Sequence, residues 1–371
     1  MMKLNSGRNI LSNGRQDLKK RAITAKKLND EINCIFVTDM KGINTKLFFN
    51  KNVMITGGLG MMGSSIARKL VPLGARVTLV DAFIEPYGAN DFNIEDIRSE
   101  VQISVTDIRD KDAIRHLVKG QDIIFNLAGQ VSHNDSLNNP FLDADINYIG
   151  HLNVLECVLR NAPDAVVLFA GSRLQFGRIE NNPVDESHPL RPRTPYALNK
   201  TAAENMYLFY NQVHWLRCVV FRISNPYGPR SQMKHSKYSM VNWFIRQAME
   251  NQVIKVFGDG LQLRDYIYVE DLAEAFIRAS ISAQCMGKVF NVGSGMGTRF
   301  SDMAEMVVQK ANGGKVEFVP WPKDYINVET GDYVTDISLI SKAIDWKPAT
   351  AFSTGVEMTC EYYRKYKQHY W

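Results

Sequence analysis

A tyrosine and a lysine, Tyr196 and Lys200, are the residues of this sequence whose types and spacing most clearly fit a chemical step. Side chains four residues apart lie one turn apart on the same face of an α-helix, so the ammonium group of Lys200 can stabilise a phenolate at Tyr196. Lowering the pKa of a phenol from about 10 to neutrality takes about 4 kcal/mol of such stabilisation. A serine, Ser172, precedes the pair by 24 residues and can hydrogen-bond a substrate alcohol beside Tyr196.

The Tyr-x-x-x-Lys spacing carries little information alone, because the chain has 15 tyrosines and a second such pair, Tyr363 and Lys367. We interpret the second pair as part of a basic, aromatic C-terminal tail without a cofactor motif beside it. The first pair differs because a glycine-rich segment lies upstream of it.

That glycine-rich segment, residues 56–63, joins a predicted strand to a predicted helix. Its glycines let backbone amides approach a pyrophosphate at the N-terminus of the helix. Asp81 ends the next predicted strand, where a carboxylate can bind an adenosine ribose diol and repel a 2′-phosphate. The pattern therefore predicts NAD rather than NADP. Asp107 and Ile108 could contact the adenine, although Asp107 could equally cap a helix.

Strands and helices alternate over about 170 residues from Asn52, which predicts an α/β fold with a doubly wound parallel sheet. The predicted strands are Asn52–Ile55, Arg76–Val80, Val101–Val105, Asp122–Asn126, Ala165–Ala170 and Leu216–Ser224, and the predicted helices include Met61–Val71, Phe141–Leu159 and Tyr196–Val213. After Ser224 the pattern loosens, which indicates a smaller C-terminal substrate-binding lobe. We therefore predict an N-terminal extension (1–50), a cofactor-binding domain (51–228) and a mainly substrate-binding lobe (229–371), some segments of which return to the sheet.

The positive net charge of +5 belongs to the N-terminal extension. Residues 1–51 contain 11 Lys and Arg against 4 Asp and Glu, so the other 320 residues carry about −2. An apolar stripe in the extension predicts an amphipathic helix that packs on the body or on a neighbouring subunit. Binding to an anionic surface or nucleic acid, or a flexible leader, are the alternatives, and we expect no nucleic-acid partner. The stripe consists of Leu18, Ala22, Ala25, Leu28 and Ile32.

Composition argues against several other classes of protein. No run approaches the roughly 18 apolar residues of a membrane span, and no signal peptide opens the chain. The five cysteines are scattered, and neither they nor the seven histidines show metal-ligand spacing. We therefore expect a cytoplasmic protein with reduced thiols and no metal.

Six segments occur in the order found in one enzyme family. They are Gly57-Gly58-x-Gly60-x-x-Gly63, Asn126-Leu127-Ala128-Gly129, residues 172–177, Tyr196-x-x-x-Lys200, Arg222-Ile223-Ser224-Asn225-Pro226-Tyr227-Gly228 and Arg264-Asp265-Tyr266-Ile267-Tyr268-Val269. Over about residues 51–365 the chain resembles an extended short-chain dehydrogenase/reductase of the NAD-dependent nucleotide-sugar epimerase/dehydratase family, similar to UDP-glucose 4-epimerases. This resemblance implies a Rossmann domain with NAD as cofactor and a nucleotide-diphosphate sugar as substrate.

The resemblance also implies roles for individual residues. Ser172, Tyr196 and Lys200 would be catalytic, and Asn147 would either support the lysine through water or be purely structural. The implied cofactor contacts are Gly57, Gly60, Met61, Met62, Gly63, Asp81, Asp107, Ile108, Leu127, Ala128, Gln130, Tyr196 and Lys200. The implied substrate contacts are Ser172, Arg173, Asn225 at the phosphate or sugar, Phe257 along the nucleobase and Arg264 at the diphosphate, although Arg264-Asp265 could equally form a structural ion pair.

Two departures from the family pattern bear on the reaction. Family 4,6-dehydratases place an acid-base carboxylate pair directly after the catalytic hydroxyl, and the decarboxylases keep a glutamate there, whereas this chain has Arg173 and Leu174. Eliminating water needs a proton donor and an acceptor, so dehydration is disfavoured unless another loop provides a carboxylate. The usual Arg-Pro-Gly-Asp near the end reads Glu329-Thr330-Gly331-Asp332, which lacks the diphosphate-binding arginine.

From these observations we predict an NAD-dependent nucleotide-sugar 4-epimerase that acts through a transient 4-keto intermediate. A nucleotide-sugar 4-dehydrogenase/reductase or an atypical 4,6-dehydratase would use the same residues. A non-catalytic dinucleotide-binding regulator and a surface-tethered scaffold are alternatives from other classes.

The helices predicted over 141–159 and 195–213 carry more apolar surface than one sheet-facing stripe requires. The apolar residues are Leu142, Ile146, Ile149, Leu152, Val154 and Leu155 in the first helix and Ala202, Ala203, Met206, Leu208 and Phe209 in the second. Two such pairs would bury the excess in a four-helix bundle across a two-fold axis, as in family dimers. We therefore predict a homodimer, unless the N-terminal helix of the same chain covers this surface.

Overall fold

The computed structural model describes residues 44–85, 87–322 and 329–371, and residues 45–371 form one compact unit. The amphipathic helix predicted within the first 43 residues lies outside the described residues. Apolar runs buried on both faces favour parallel strands, and these runs form the central strands of the unit. The strands of its main sheet are β1 (Asn52–Thr56), β2 (Arg76–Asp81), β3 (Val101–Val105), β4 (Ile123–Asn126), β5 (Val166–Ser172), β6 (Arg217–Ile223) and β10 (Lys288–Val292).

These seven strands pair in the order β10-β6-β5-β4-β1-β2-β3, and every pairing is parallel. The chain order reverses between β1 and β4, which is the arrangement of a Rossmann fold and opens a crevice at the carboxyl ends of the strands. All six predicted strands are present, with ends within two residues of the predicted bounds. The seventh strand, β10, comes from the C-terminal part of the chain and pairs with β6 at the edge of the sheet.

Helices cover both faces of this sheet. The helices of the unit are α1 (Met61–Leu70), α2 (Lys111–Leu117), α3 (His133–Asn138), α4 (Pro140–Ala144), α5 (His151–Asn161), α6 (Pro195–His214), α7 (Met240–Met249), α8 (Val269–Ser280), α9 (Phe300–Ala311), α10 (Ser338–Ile344) and α11 (Phe352–Tyr366). On one face, α5 and α6 pack in a core with Met54, Ile124 and Val167. On the other face, α1 packs against α8, whose Phe276 lies edge-on to Phe125 and Phe221.

The helix predicted over 141–159 is not continuous. A π-helical turn, Asp145–Gly150, lies between α4 and α5. In a π-helical turn the backbone hydrogen bonds join residues i and i+5 instead of i and i+4, and such turns are frequent at functional sites. The spacing of apolar residues in the sequence does not indicate where one occurs. The turn buries Asn147, whose Nδ2 donates a hydrogen bond to the backbone oxygen of Gln130 at 2.9 Å.

A smaller lobe is built from the chain after β6. It contains a three-stranded sheet of β11 (Gly297–Arg299), β9 (Leu263–Tyr268) and β7 (Asn225–Tyr227), and a parallel pair of β12 (Lys315–Val319) and β8 (Val253–Phe257). Helices α7, α9 and α11 share one apolar core with these strands. Tyr363 of the second Tyr-Lys pair lies in that core, where its hydroxyl accepts a hydrogen bond from Ser231 N at 2.9 Å and donates one to Ser231 O at 3.0 Å. Tyr363 therefore belongs to a packed helix rather than to a tail, and Lys367 follows directly after the end of that helix.

No helix among the described residues combines the length and the apolar character that crossing a bilayer requires. Within the same residues, no three histidine, cysteine or acidic side chains come together as ligands for a metal ion.

Candidate active site

One cleft of about 840 Å³ at the carboxyl ends of the sheet strands contains nearly all of the residues singled out from the sequence. Those that line it are Gly57, Gly60, Met61, Met62, Gly63, Asp81, Asp107, Ile108, Leu127, Ala128, Ser172, Arg173, Tyr196, Lys200, Asn225, Phe257 and Arg264. Asn147 and Gln130 do not line it; Gln130 is 2% exposed, and its Nε2 donates to the backbone oxygen of Ser132 at 2.7 Å. The side chain of Gln130 therefore supports a turn rather than the cleft.

The glycine-rich turn between β1 and α1 brings backbone very close to backbone. Gly57 has a φ of +65°, and a Cβ there would lie 3.0 Å from the backbone nitrogen of Ala128. A Cβ on Gly63 would lie 2.4 Å from the carbonyl oxygen of Gly57. Gly60 caps α1 without a side-chain hydrogen bond, so no side chain competes for the first amides of the helix. A pyrophosphate fits such a helix N-terminus.

Asp81 stands at the carboxyl end of β2, beside this turn. One carboxylate oxygen accepts a hydrogen bond from Leu59 N at 3.1 Å and the other accepts one from Phe83 N at 3.2 Å. Burial raises the pKa of Asp81, and these two backbone donors oppose the rise. Each oxygen keeps a lone pair for a further donor, which suits a ribose diol and disfavours a 2′-phosphate.

Asp107 does not cap a helix. Asp110 caps α2 instead, because its Oδ1 accepts from Asp112 N at 3.1 Å and Ala113 N at 3.0 Å. Asp107 forms a two-pronged pair with Arg109, with Nη2 to Oδ2 at 2.7 Å. Burial would raise the pKa of Asp107, but the hydrogen bonds from Arg109 lower it below its usual value.

The start of α6 brings the three candidate catalytic side chains together. Pro195 is the first residue of this helix, and the hydroxyl of Thr194 caps it by accepting from Ala197 N at 3.2 Å. Tyr196 and Lys200 then lie one turn apart on its inner face and are 8% and 3% exposed. Ser172, at the end of β5, lies near the phenol of Tyr196, and its hydroxyl lowers the pKa of that phenol. The Nζ atom of Lys200 donates to Ala170 O at 3.1 Å.

Burial shifts the pKa values of the two titratable groups in opposite directions. It raises the pKa of Tyr196 to about 12, with the Ser172 hydrogen bond lowering it and the charge of Asp143 raising it. It lowers the pKa of Lys200 to about 8, against the attraction of Asp143. In the protein alone, burial therefore raises the pKa of Tyr196, in the direction opposite to the one predicted from the Tyr-x-x-x-Lys spacing.

Two buried polar side chains, Asn147 and Asp143, lie near Lys200, and the sequence indicated only Asn147. The Nδ2 atom of Asn147 donates to Asp143 Oδ2 at 3.0 Å, and its Oδ1 has no hydrogen-bond partner among the described residues. That oxygen and Lys200 Nζ lie 2.8 and 3.2 Å from the position that a Cβ on Gly129 would take. Gly129 therefore lets Asn147 face Lys200, directly or through water. Asp143 gave no sequence signal beyond a carboxylate within an apolar helix.

Ser172 is held by a chain of buried hydrogen bonds. Its backbone N–H donates to Gln175 Oε1 at 2.7 Å, and its hydroxyl accepts from Leu174 N at 3.3 Å, which together form a capping box. Gln175 Nε2 then donates to Glu204 Oε2 at 2.7 Å. Glu204 forms a buried ion pair with Arg222, with Nη2 to Oε1 at 2.6 Å. This series of hydrogen bonds holds the Ser172 hydroxyl in place at the reacting end of the cleft.

The substrate side of the cleft carries two arginines with different partners. Arg264 forms its ion pair with Glu329 rather than with Asp265. Arg173 donates from Nε to Asn225 Oδ1 at 2.9 Å and from Nη1 to Thr330 Oγ1 at 3.1 Å. The side chain of Arg173 therefore lies beside the segment in which the family's usual arginine is replaced by Glu329.

Trp321 and His133 also line the cleft, and the sequence did not indicate either residue. The ring of Trp321 lies 5.6 Å from that of Phe257 at an interplanar angle of 44°. A Cβ on Gly258 would lie 2.4 Å from Trp321 Nε1, so the glycine permits this contact. His133 stays neutral, because burial lowers its pKa to about 4 and the charge of Arg173 adds to the effect. Neither residue belongs to a motif whose spacing would indicate it.

The chain is similar to several proteins whose names refer to nucleotide sugars. A UDP-glucose 4-epimerase from Mycolicibacterium smegmatis is 28% identical over 319 residues, which are 85% of this chain and 99% of the relative. A UDP-N-acetyl-alpha-D-glucosaminuronate decarboxylase from Bacillus cytotoxicus is 28% identical over 324 residues, 85% of this chain and 98% of the relative. Relatives with the name dTDP-glucose 4,6-dehydratase match at 26 to 27% identity.

One solved structure is similar to this chain over nearly the whole length of the solved protein. It is the UDP-glucose 4-epimerase from Thermus thermophilus in complex with NAD, with a TM-score of 0.76 and 27% identity, covering 85% of this chain and 99% of that one. The family model of the NAD dependent epimerase/dehydratase family matches residues 53–293. The cleft fits this assignment, since it combines a glycine-rich helix N-terminus with a carboxylate suited to a ribose diol. The chain is a member of the NAD-dependent epimerase/dehydratase family and uses NAD as its cofactor.

Proposed function

We propose that the protein is a nucleotide-sugar 4-epimerase. The observation that carries this proposal is the convergence of Ser172, Tyr196 and Lys200 on one wall of the cleft, with no carboxylate at the two positions after the serine. Tyr196 takes the proton of the sugar's 4-hydroxyl as C4 is oxidised and returns it when the 4-keto group is reduced from the other side. Ser172 hydrogen-bonds the reacting oxygen, and Lys200 contributes positive charge.

The residues of the chain that would hold NAD are those of the glycine-rich turn and Asp81, with Lys200 near the reacting end. When bound, oxidised NAD supplies the hydride acceptor and a further positive charge. That charge matters here, because burial raises the pKa of Tyr196 to about 12 and a phenolate needs cations nearby to form at neutral pH.

The acidic side chains of the cleft argue against dehydration. Among the described residues that line it, only Asp81, Asp107 and Glu329 are acidic. The two aspartates lie at the carboxyl ends of β2 and β3, beside the glycine-rich turn. Glu329 is bound by Arg264 and accepts from Thr330 N and Gly331 N, both at 3.0 Å. A carboxylate so occupied is poorly placed to move protons at C5 and C6.

The substrate class is supported by the relatives and by the cleft. The relatives act on nucleotide sugars by name, and the Phe257–Trp321 ring pair offers two aromatic surfaces near a nucleobase position. A 4-dehydrogenase/reductase would use the same catalytic residues. The reaction products separate the two functions, because only epimerisation leaves both mass and redox state unchanged.

The test is to incubate the NAD-loaded protein with UDP-, GDP-, dTDP- and CDP-linked hexoses and to analyse the products by mass spectrometry and sugar chromatography. We expect a product of unchanged mass with the opposite configuration at C4 and no accumulation of NADH. A product lighter by one water would identify a dehydratase. Stoichiometric NADH formation would identify a dehydrogenase.

A further inference from the structure

Arg173 is a cation in the cleft, and among the residues that the structure describes it has no carboxylate partner. Its Nε and Nη1 atoms donate to the neutral oxygens of Asn225 and Thr330, and its guanidinium stacks 5.3 Å from the ring centre of Tyr333. An arginine has five N–H donors in a fork that matches a two-oxygen anion. Within residues 44–85, 87–322 and 329–371, Nη2 makes no hydrogen bond and Arg173 forms no ion pair.

The charges around Arg173 do not balance. The carboxylate whose charge acts on Arg173 is that of Glu329, and it is bound to Arg264. Arg264 itself is a like charge, and burial together with Arg264 lowers the pKa of Arg173 to about 10. His133, which also faces this group, is neutral. The described groups here therefore carry one surplus positive charge, and a partly buried charge without a counter-ion is costly unless an anion binds it.

We infer that Arg173 binds a carboxylate carried by the sugar, so that the substrate is a nucleotide-linked uronic acid. This inference rests on the proposed function, because it assumes a nucleotide sugar in the cleft. A nucleotide sugar has only one other anionic group, its diphosphate. The two sources share the same chemistry, an oxygen anion bound by a guanidinium, and they differ in where the anion sits.

Position favours the carboxylate over the diphosphate. Arg173 follows directly on Ser172, which lines the cleft together with Tyr196, so the side chain of Arg173 starts at the reacting end of the cleft and reaches to Asn225 and Thr330. In a hexopyranose the neighbour of C4 is C5, which bears the carboxylate of a uronic acid, whereas the diphosphate is attached at C1 across the ring. An acid at position 173, as in family dehydratases, would repel such a substrate, and an arginine attracts it.

The test compares the affinities of matched ligands for the full-length, NAD-loaded protein by titration calorimetry. The pairs are UDP-glucose with UDP-glucuronate and GDP-mannose with GDP-mannuronate, and UDP and GDP alone report on the diphosphate. We expect the uronate of at least one pair to bind at least about 10-fold more tightly than its neutral partner. Arg173→Gln should abolish that difference and change the affinity for UDP or GDP less than about 3-fold.

Two further variants control the experiment. Arg178→Gln removes a nearby exposed arginine outside the cleft and should leave the preference for the uronate unchanged. Arg173→Lys keeps the charge without the fork and should restore part of the preference. Retained NAD in each variant shows that the fold is intact, and if Arg173→Gln loses NAD, the same comparison is made with Arg173→Lys.

Several results would overturn the inference. They are equal affinity within both pairs, failure of every uronate to bind, or an Arg173→Gln variant that loses as much affinity for the nucleoside diphosphate as for the uronate. The last result would identify the diphosphate as the anion. Epimerisation of a neutral nucleotide sugar that Arg173→Gln leaves unchanged overturns this inference alone. Absence of epimerised product from every probe overturns the proposed function whatever Arg173 binds.

Discussion

The environments of Tyr196 and Lys200 decide how these two residues can act. The spacing of the pair predicts that both side chains lie on one helical face, and the start of α6 places them there. Their burial is set by β5 and by the π-helical turn, which come from other parts of the chain. Local spacing therefore predicts the neighbourhood of the two groups but not the direction in which the pKa of the phenol moves.

Removing the phenol should remove catalysis without removing the cofactor. We expect Tyr196→Phe to lower kcat at least about 100-fold, since it removes the proton-transfer group, while the protein keeps NAD. Steady-state kinetics and the absorbance of bound nucleotide measure both effects. Tyr148→Phe is the matched control, because Tyr148 lies in the π-helical turn and does not line the cleft. A Tyr196→Phe enzyme that keeps more than a tenth of the wild-type rate would show that another group moves the proton.

The low pKa of Lys200 should appear in the pH dependence of stability. Between pH 8 and pH 10.5 the folded protein binds fewer protons at Lys200 than the unfolded chain does, because burial lowers its pKa from 10.5 to about 8. The contribution of Lys200 to the free energy of unfolding therefore rises with pH across this window, by about 3 kcal/mol in all. Lys200→Met should remove this rise.

Urea titrations of the NAD-free protein between pH 8 and pH 10 measure this dependence, and the comparison with Lys200→Met separates it from the titration of the tyrosines. Lys119→Met, which changes an exposed lysine, should leave the slope as in the wild type. Identical slopes for wild type and Lys200→Met would mean that the ammonium group is not desolvated in the folded protein.

At the scale of elements, the sequence predicts the strands better than the connections that complete the site. Alternating apolar runs give β1 to β6 within two residues, because parallel strands buried on both faces leave a clear pattern. The π-helical turn and the pairing of Phe257 with Trp321 leave no such pattern. The π-helical turn shifts the backbone hydrogen bonds by only one residue, and the two aromatic rings come from segments that are distant in the chain. The family resemblance assigns Gln130 to the cofactor, and in the structure its Nε2 donates to the backbone oxygen of Ser132.

The junction of β5 and α6 depends on the buried pair of Glu204 and Arg222. Glu204→Ala should lower the free energy of unfolding by about 3 to 5 kcal/mol, because it leaves the Arg222 guanidinium buried without its counter-ion. It should also lower kcat, since Gln175 loses the partner that orients it towards Ser172. Chemical denaturation and kinetics measure the two effects.

A surface pair is the control for that experiment. Asp112→Ala breaks the exposed pair with Arg115 and should cost less than about 1 kcal/mol. Equal costs for Asp112→Ala and Glu204→Ala would contradict a structural role for the buried pair.

At the scale of the whole molecule, an exposed apolar stripe on α6 suggests how two copies would associate. Leu198, Phe209 and Val213 are 58%, 47% and 52% exposed and face outward at helical spacing. Phe141 and Ile149 are also exposed on the neighbouring helical segments. Other residues that the sequence suggested for this surface, including Ile146, Val154, Leu155 and Ala203, are buried within the same chain. The helices therefore do expose apolar side chains, but fewer of them than the sequence alone indicates.

We propose that this stripe forms a two-fold dimer interface. Phe209→Asp should convert the dimer into monomers in light scattering, because it places a charge in the apolar contact. Phe318→Asp, at an exposed position on β12, should leave the mass unchanged. A monomeric wild-type protein, or a dimer that survives Phe209→Asp, would refute the proposed interface.

The fate of the hydrogen on C4 tests the proposed reaction most directly. The enzyme would be incubated with a nucleotide sugar that carries deuterium at C4 and that it turns over, and the product would be analysed by mass spectrometry and NMR. Oxidation at C4 followed by return of the same hydride to the other face predicts a C4 epimer that keeps its deuterium at C4, with no change in mass. Loss of the deuterium to water, its transfer to another carbon, or a product lighter by one water would contradict 4-epimerisation.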